Sequence, residues 1–198
     1  MFISFEGIDG SGKSTQARRL ADTLRAQGKS VALTREPGGS PGAEEIRRLL
    51  VEGQGERWSP ETELLLFTAA RRDHVERLIS PALARGEHVI TDRFADSSRV
   101  YQGLVRAENR RLVEALHDLM IGIEPDRTFL IDIEPDVSLA RGQARGGAED
   151  RFESLGLTFQ QQLRAGFLAL AAEQPDRIRV IDGRGSQDQV AARVLAAL

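Results

Sequence analysis

Residues Gly7-Ile8-Asp9-Gly10-Ser11-Gly12-Lys13-Ser14 spell G-x-x-x-x-G-K-S, a pattern suited to gripping a chain of phosphates. Its glycines let successive backbone N–H groups turn inward as an anion nest. The positive end of a helix dipole sits behind such a nest. Lys13 adds a mobile point charge for the β- and γ-phosphates, and the Ser14 hydroxyl can ligate Mg²⁺. The apolar run Met1–Phe5 leads into the loop and the helical stretch Ser14–Ala21 leaves it, which is the strand–loop–helix context the motif requires. The segment Gly7–Thr15 is therefore expected to bind a nucleoside polyphosphate, ATP in the first place.

A second chemical group closes another apolar run, Val89-Ile90-Thr91-Asp92-Arg93. An acid at the end of a strand beside a phosphate loop can hold Mg²⁺, usually through water. Asp92 is the candidate, the other reading of it being an N-cap for the next helix. Asp132 ends a third run but is followed by Ile-Glu-Pro and no basic residue, which fits a structural role better. Neither lysine of the chain sits in an Asn-Lys-x-Asp base-reading motif, which argues against a guanine-nucleotide switch. Asp92 is followed by Arg93 rather than a second acid, which suits a second phosphate group better than a water-activating carboxylate.

The elements that must position these residues follow from hydrophobic patterning. Five short apolar runs, Phe2–Phe5, Ser30–Thr34, His88–Thr91, Thr128–Ile133 and Ile178–Ile181, alternate with helical patterns. Near-continuous apolar strands separated by helices predict a parallel sheet buried on both faces. Helices are expected at about Lys13–Gln27, Gly42–Glu52, Ser59–Arg85, Asn109–Ile121, Pro135–Arg145, Leu157–Glu173 and Gln187–Leu198. Gly28 and Gly86 read as helix C-termini, and Ser59-Pro60 as an N-cap followed by an N1 proline.

Bulk properties narrow the class. A length of 198 residues suits one three-layer α/β domain spanning 1–198. A net charge of −3 argues against a general nucleic-acid binder. No apolar run approaches a membrane span, and the N-terminus starts directly in a strand. The absence of cysteine fits a reducing, cytoplasmic setting. All but two of the 27 basic residues are arginine, so an arginine means little unless its position is informative. His74, His88 and His117 show no ligand spacing and are assigned no role.

Taken together, several blocks make the chain resemble the thymidylate kinase family along almost its whole length. They are Gly7–Thr15, Thr34-Arg35-Glu36-Pro37-Gly38-Gly39, Leu64-Leu65-Leu66-Phe67-Thr68-Ala69-Ala70-Arg71, Asp92-Arg93-Phe94 with Ser97-Ser98 and Tyr101-Gln102-Gly103, and the arginine-bearing stretch Arg141–Arg151. Phe94 departs from the Tyr or His that many members carry there. The resemblance implies a three-layer nucleoside-monophosphate-kinase-like fold with a five-stranded parallel sheet and helices on both faces. It also implies transfer of the γ-phosphoryl of ATP to dTMP with Mg²⁺, and a homodimer. The rival readings are a related kinase for another deoxynucleotide or deoxynucleoside, and a nucleotide-binding module without catalysis.

Site roles implied by the resemblance follow residue by residue. Phe67 would stack on thymine, although a core aromatic is the alternative. Arg71, one helical turn on, would donate to a base carbonyl; arginine has donors only, so a cytosine amino group is disfavoured. Arg93 and Arg47 would grip the acceptor phosphate, with Arg48 as the alternative to Arg47. Asp9 would accept from the sugar 3′-hydroxyl. Glu36, Pro37, Ser98, Tyr101 and Gln102 would complete the acceptor site. No basic residue lies between Gly7 and Gly12, so catalytic charge would come from a mobile lid at 141–151. Arg145 or Arg151 would act as the arginine finger and Arg141 would lie nearer the adenine. Leu112, Leu116 and Leu119 could form a dimer face or pack in the core.

Overall fold

Acidic residues close four of the five strands: Glu6, Asp92, Asp132 and Asp182. The computed structural model describes residues 1–52, 57–104, 109–145 and 156–198. Its strands are β1 (Phe2–Glu6), β2 (Val31–Arg35), β3 (His88–Asp92), β4 (Arg127–Asp132) and β5 (Ile178–Asp182). All pair in parallel, in the order β2-β3-β1-β4-β5. The ladder does not stop where the hydrophobicity does: Phe5 pairs with Asp92 and Asp132 with Asp182. β4 runs Arg127–Asp132 rather than the expected Thr128–Ile133, and Ile133 is buried just beyond its end.

Side-chain alternation along β1 divides the molecule. Ile3 and Phe5 face a core shared with Leu20 and Leu24 of α1 (Lys13–Ala26) and Val190 and Val194 of α9 (Gln187–Ala196). Phe2, Ser4 and Glu6 point to the opposite face. There Phe2 joins Ile79, Val89 and Phe94, and Ser4 shares a 2.7 Å hydrogen bond with Thr128. A third apolar cluster joins Leu130 and Ile133 to Leu163, Phe167 and Leu170 of α8 (Gly156–Glu173). The chain leaves β1 toward β2 on one side and β3 toward β4 on the other. The carboxyl ends of β1 and β3 thus border the crevice where ligands bind in such sheets.

The helices differ from the expected ones where backbone chemistry intervenes. Ser59 accepts from Thr62 N–H and Pro60 takes the first helical position, as the sequence suggests. The single helix expected over Ser59–Arg85 is instead α3 (Pro60–His74), a π-helical turn Val75–Ile79 and α4 (Ser80–Ala84). Pro81 has no N–H and its ring crowds the preceding turn; the widened turn ahead of it accommodates both defects. α2 is Pro41–Val51, shifted one residue earlier by Pro41 at its start. α6 (Arg110–Leu116) passes into another π-helical turn, His117–Ile121, closed by Gly122 at φ 64°. α5 (Ala95–Ser98) and the π-helical turn Arg99–Leu104 fall outside the seven helical stretches expected from the sequence. α7 is Pro135–Arg145, as expected. No helix among the described residues is long and apolar enough to cross a membrane.

Candidate active site

The phosphate loop leaves the central strand and closes against α7. Gly10 sits at φ 79°, and a Cβ there would lie 2.3 Å from the Ser138 carbonyl oxygen. Only glycine lets α7 approach so closely, and the Ser138 hydroxyl donates to the Asp9 carbonyl. Gly12, at φ 100°, turns the chain into α1, whose first N–H groups have no intrahelical acceptor. Lys13 Nζ lies in this nest and donates to Ile8 O at 2.9 Å. Burial, then the nearby Arg93 charge, pushes the Lys13 ammonium down to about 8. Ser14 is exposed at the loop mouth. Asp92 does not cap the following helix, whose N-cap is Phe94. Its Oδ1 is buried with no hydrogen-bond partner among the described residues. Asp132 is paired instead, at 2.7 Å and 3.0 Å, with the Arg164 guanidinium.

Beside the loop, a cavity of about 140 Å³ is lined by Asp9, Glu36, Pro37, Arg47, Phe67, Arg71, Arg93, Ser98, Tyr101 and Gln102. Every residue the sequence suggested for the acceptor thus lines one space, drawn from five separate stretches of chain. Val51 and Ser97 complete the lining and were not anticipated. Phe67 is half-buried at the cavity wall rather than in the core. Arg47 donates to Pro37 O at 2.6 Å, whereas Arg48 is exposed and does not line the cavity. Gln102 is tethered to Glu63 of α3 at 3.0 Å.

Where the cavity meets the loop, Arg93 Nη2 donates to Asp9 Oδ1 at 2.5 Å and to the Tyr101 hydroxyl at 3.2 Å, and Nη1 donates to Ser97 at 2.9 Å. Burial raises the Asp9 carboxyl, but the charges of Arg93 and Lys13 outweigh it and bring it down to about 2. Burial drives the Tyr101 hydroxyl well above its ordinary range. Arg93 itself holds φ 72°, a left-handed conformation costly for a residue with a Cβ.

Glu6, which the sequence did not single out, holds that strained turn. Its Oε1 accepts from the N–H of Phe94 at 2.8 Å and of Ser97 at 3.2 Å, and its Oε2 accepts from the Ser97 hydroxyl at 2.7 Å. Arg93 Nη1 is 3.9 Å away. Burial, against the opposing pull of Arg93, leaves the Glu6 carboxyl raised to about 7. A charged residue in the last position of an otherwise apolar strand was the available signal.

His74 was also missed. Its Nδ1 lies 3.0 Å from Glu36 Oε1 and its Nε2 2.8 Å from Thr34 Oγ1. Glu36 Oε2 accepts from Arg71 Nε at 2.7 Å. Burial raises the Glu36 carboxyl, but Arg71 and His74 overcome it and hold it below the usual carboxylate range. Neighbouring Arg72 turns outward to Glu76 and Met120 O. Arg141 and Arg145 lie in the last turns of α7, and Arg151 and most of the 141–151 segment lie outside the described residues. Leu112 and Leu119 are exposed rather than in the core.

Known proteins resemble this chain over nearly its whole length. The family model described as thymidylate kinase matches residues 5–194. The chain is 69% identical over 196 residues to the thymidylate kinase of Dinoroseobacter shibae, covering 99% of this chain and 95% of that one. It is 64% identical to the thymidylate kinase of Ruegeria pomeroyi, covering 98% and 92%. The crystal structure of thymidylate kinase from Ehrlichia chaffeensis superposes with a TM-score of 0.80 at 37% identity, covering 100% of this chain and 97% of that one.

Proposed function

The chain belongs to the thymidylate kinase family, and on that premise we propose how its residues divide the transfer of a phosphoryl group from ATP to dTMP. The reaction and its place in nucleotide biosynthesis come with the family; the allocation of roles is ours. It rests above all on the ten residues gathered around one cavity beside the phosphate loop.

The donor phosphates lie in the nest of Gly7–Thr15, with Lys13 on the β- and γ-oxygens. The acceptor occupies the cavity. Phe67 stacks on the base, Arg71 donates to a base carbonyl, and Asp9 accepts from the sugar 3′-hydroxyl. Arg47 and Arg93 align the acceptor phosphate, which takes over Arg93 donors that Asp9 and Tyr101 otherwise share. Tyr101, Gln102 and Ser98 bound the sugar and base, with Glu36 and Pro37 behind them. The attacking phosphate oxygen is already ionised, so no general base is required. Alignment and charge neutralisation carry the rate.

Mg²⁺ fits the residues present. The orphaned Asp92 Oδ1 is a carboxylate oxygen in want of a partner, and the Ser14 hydroxyl faces the loop mouth. The described residues contain no cluster of three metal-ligating side chains. That suits an ion held mainly by phosphate and water oxygens rather than by a protein cage. When bound, it neutralises charge on the phosphate oxygens. With no basic residue between Gly7 and Gly12, we assign the remaining catalytic charge to Arg145 or Arg151 in a lid at 141–151, with Arg141 nearer the adenine.

We further propose a homodimer built on the exposed Leu65, Leu119 and Met120, which lie on adjoining elements joined by the Arg72–Met120 hydrogen bond. Equilibrium sedimentation should give twice the chain mass. A cytoplasmic location goes with the nucleotide substrates.

The test of the acceptor site is steady-state kinetics of Arg71→Ala. Its KM for dTMP should rise about tenfold or more, while its KM for ATP stays within about twofold. A rise in the ATP value with dTMP unaffected would overturn the allocation.

A further inference from the structure

The geometry points to His74 as a positioning residue for base recognition: held from behind by Thr34, it fixes Glu36 and through Glu36 the orientation of the Arg71 guanidinium. This rests on the reading that Arg71 meets the base.

Three observations carry it. The first is the unbroken row of contacts. Thr34 Oγ1 lies 2.8 Å from His74 Nε2, His74 Nδ1 3.0 Å from Glu36 Oε1, and Glu36 Oε2 2.7 Å from Arg71 Nε. A carboxylate only accepts, so Nδ1 carries the proton that faces it. In the neutral ring Nε2 then accepts from the Thr34 hydroxyl. This hydroxyl–imidazole–carboxylate row ends on a guanidinium rather than on a reacting atom.

The second is enclosure. His74 is fully buried, and Glu36 and Arg71 are nearly so. Gly39, at φ 87°, crosses directly over the row; a Cβ there would lie 2.3 Å from Thr34 Oγ1 and 2.5 Å from His74 Nε2. With water shut out, each bond polarises the next, and an imidazole without its partners would be costly.

The third is the use of Arg71's five N–H donors. Nε donates to Glu36, Nη1 to Ser98 at 3.1 Å, and Nη2 to Phe94 O and Ser98 at 3.1 Å each. One Nη1 hydrogen is left with no acceptor among the described residues, on a side chain that lines the cavity. A single donor distinguishes a carbonyl from an amino group only if its direction is fixed. Glu36 sets that direction, and His74 fixes Glu36 by its second oxygen.

The test compares KM for dTMP and for ATP in the wild type, His74→Ala, His74→Asn, Thr34→Val and Arg71→Ala, and in Arg71→Ala combined with each of the others. His74→Ala should raise the dTMP KM about tenfold, with kcat and the ATP KM within about twofold. His74→Asn, whose amide N–H takes the place of Nδ1–H, should recover most of that loss. Thr34→Val, which keeps side-chain shape, should cost about threefold, and it serves as the main probe if His74→Ala does not fold. In the Arg71→Ala background each change should add less than about twofold, because the group being positioned is gone. Equal losses in both backgrounds would overturn the role of His74 while leaving Arg71's own role intact. An Arg71→Ala enzyme with an unchanged dTMP KM would instead overturn the base reading itself.

Discussion

Replacing Glu6 with glutamine should make the protein relatively more stable as pH rises, and the structure sets the size of the effect. The wild-type carboxyl titrates near 7 in the fold against 4.5 for an unperturbed glutamate. Between those values the folded state keeps a proton that the unfolded state has lost. Wild-type stability therefore falls as pH climbs through that window and levels off above it. Each unit of displacement corresponds to about 1.4 kcal/mol, so the loss between about pH 5 and pH 8 is on the order of 2–3 kcal/mol. Glutamine mimics the protonated acid: its carbonyl oxygen can accept from the N–H groups of Phe94 and Ser97, and its amide can donate to the Ser97 hydroxyl. Its stability lacks this component. Urea unfolding of both proteins at four values from pH 5 to pH 8 measures the difference. The glutamine variant's advantage should widen across the series by roughly 2–3 kcal/mol. A gap constant to about 0.5 kcal/mol, or one that narrows, would refute the claim that burial outweighs the Arg93 charge at Glu6.

Other changes probe the remaining parts. Lys13→Met should lower kcat by at least about a hundredfold, because the β- and γ-phosphate charge loses its only lysine in the nest; full turnover would remove the loop from the donor site. Asp92→Asn should raise the Mg²⁺ concentration for half-maximal rate by about tenfold, read from a magnesium titration at fixed ATP, and an unchanged titration would detach Asp92 from the metal. Leu163→Ala, at a fully buried position of α8, should cost about 2–5 kcal/mol in urea unfolding. A loss below about 1 kcal/mol would mean that α8 is not seated on the sheet through this side chain.

What could be read from the chain was what is local. The phosphate loop is eight consecutive residues whose chemistry needs no partner elsewhere, and the five strands announce themselves by apolar runs. The residues that the resemblance assigned to the acceptor line one cavity, although their mutual contacts came only with the fold. The misses are long-range. Glu6 bonds residues 88 and 91 positions away. His74 meets partners 40 and 38 positions away, so no spacing around it could show a role. The π-helical turns were hidden for another reason: a helical hydrophobic pattern survives a one-residue widening, and only the Pro81 backbone defect marks one of them. Asp96 shows the same limit, since its partners Thr128 in β4 and Arg177 just before β5 lie far along the chain.

The charges where the cavity meets the phosphate loop explain why, on the proposed allocation, the loop cannot act alone. Lys13 and Arg93 are each influenced by Asp9, Asp92 and Glu6. With Glu6 protonated, the two cations are matched by the two remaining carboxylates, and with Glu6 ionised the cluster is net negative. Asp9 stays ionised throughout any working pH, because Arg93 and Lys13 hold its carboxyl at about 2. A triphosphate and a monophosphate entering such a place meet no surplus of positive charge from the loop residues. On the proposed allocation the surplus comes from groups outside the cluster: Arg47 on the acceptor side, Mg²⁺ on the donor side, and the arginines after residue 140. An acid inside the phosphate loop therefore has a double consequence. On the proposed allocation it secures the sugar of a second substrate, and it obliges the fold to bring cationic charge from elsewhere when both substrates are seated.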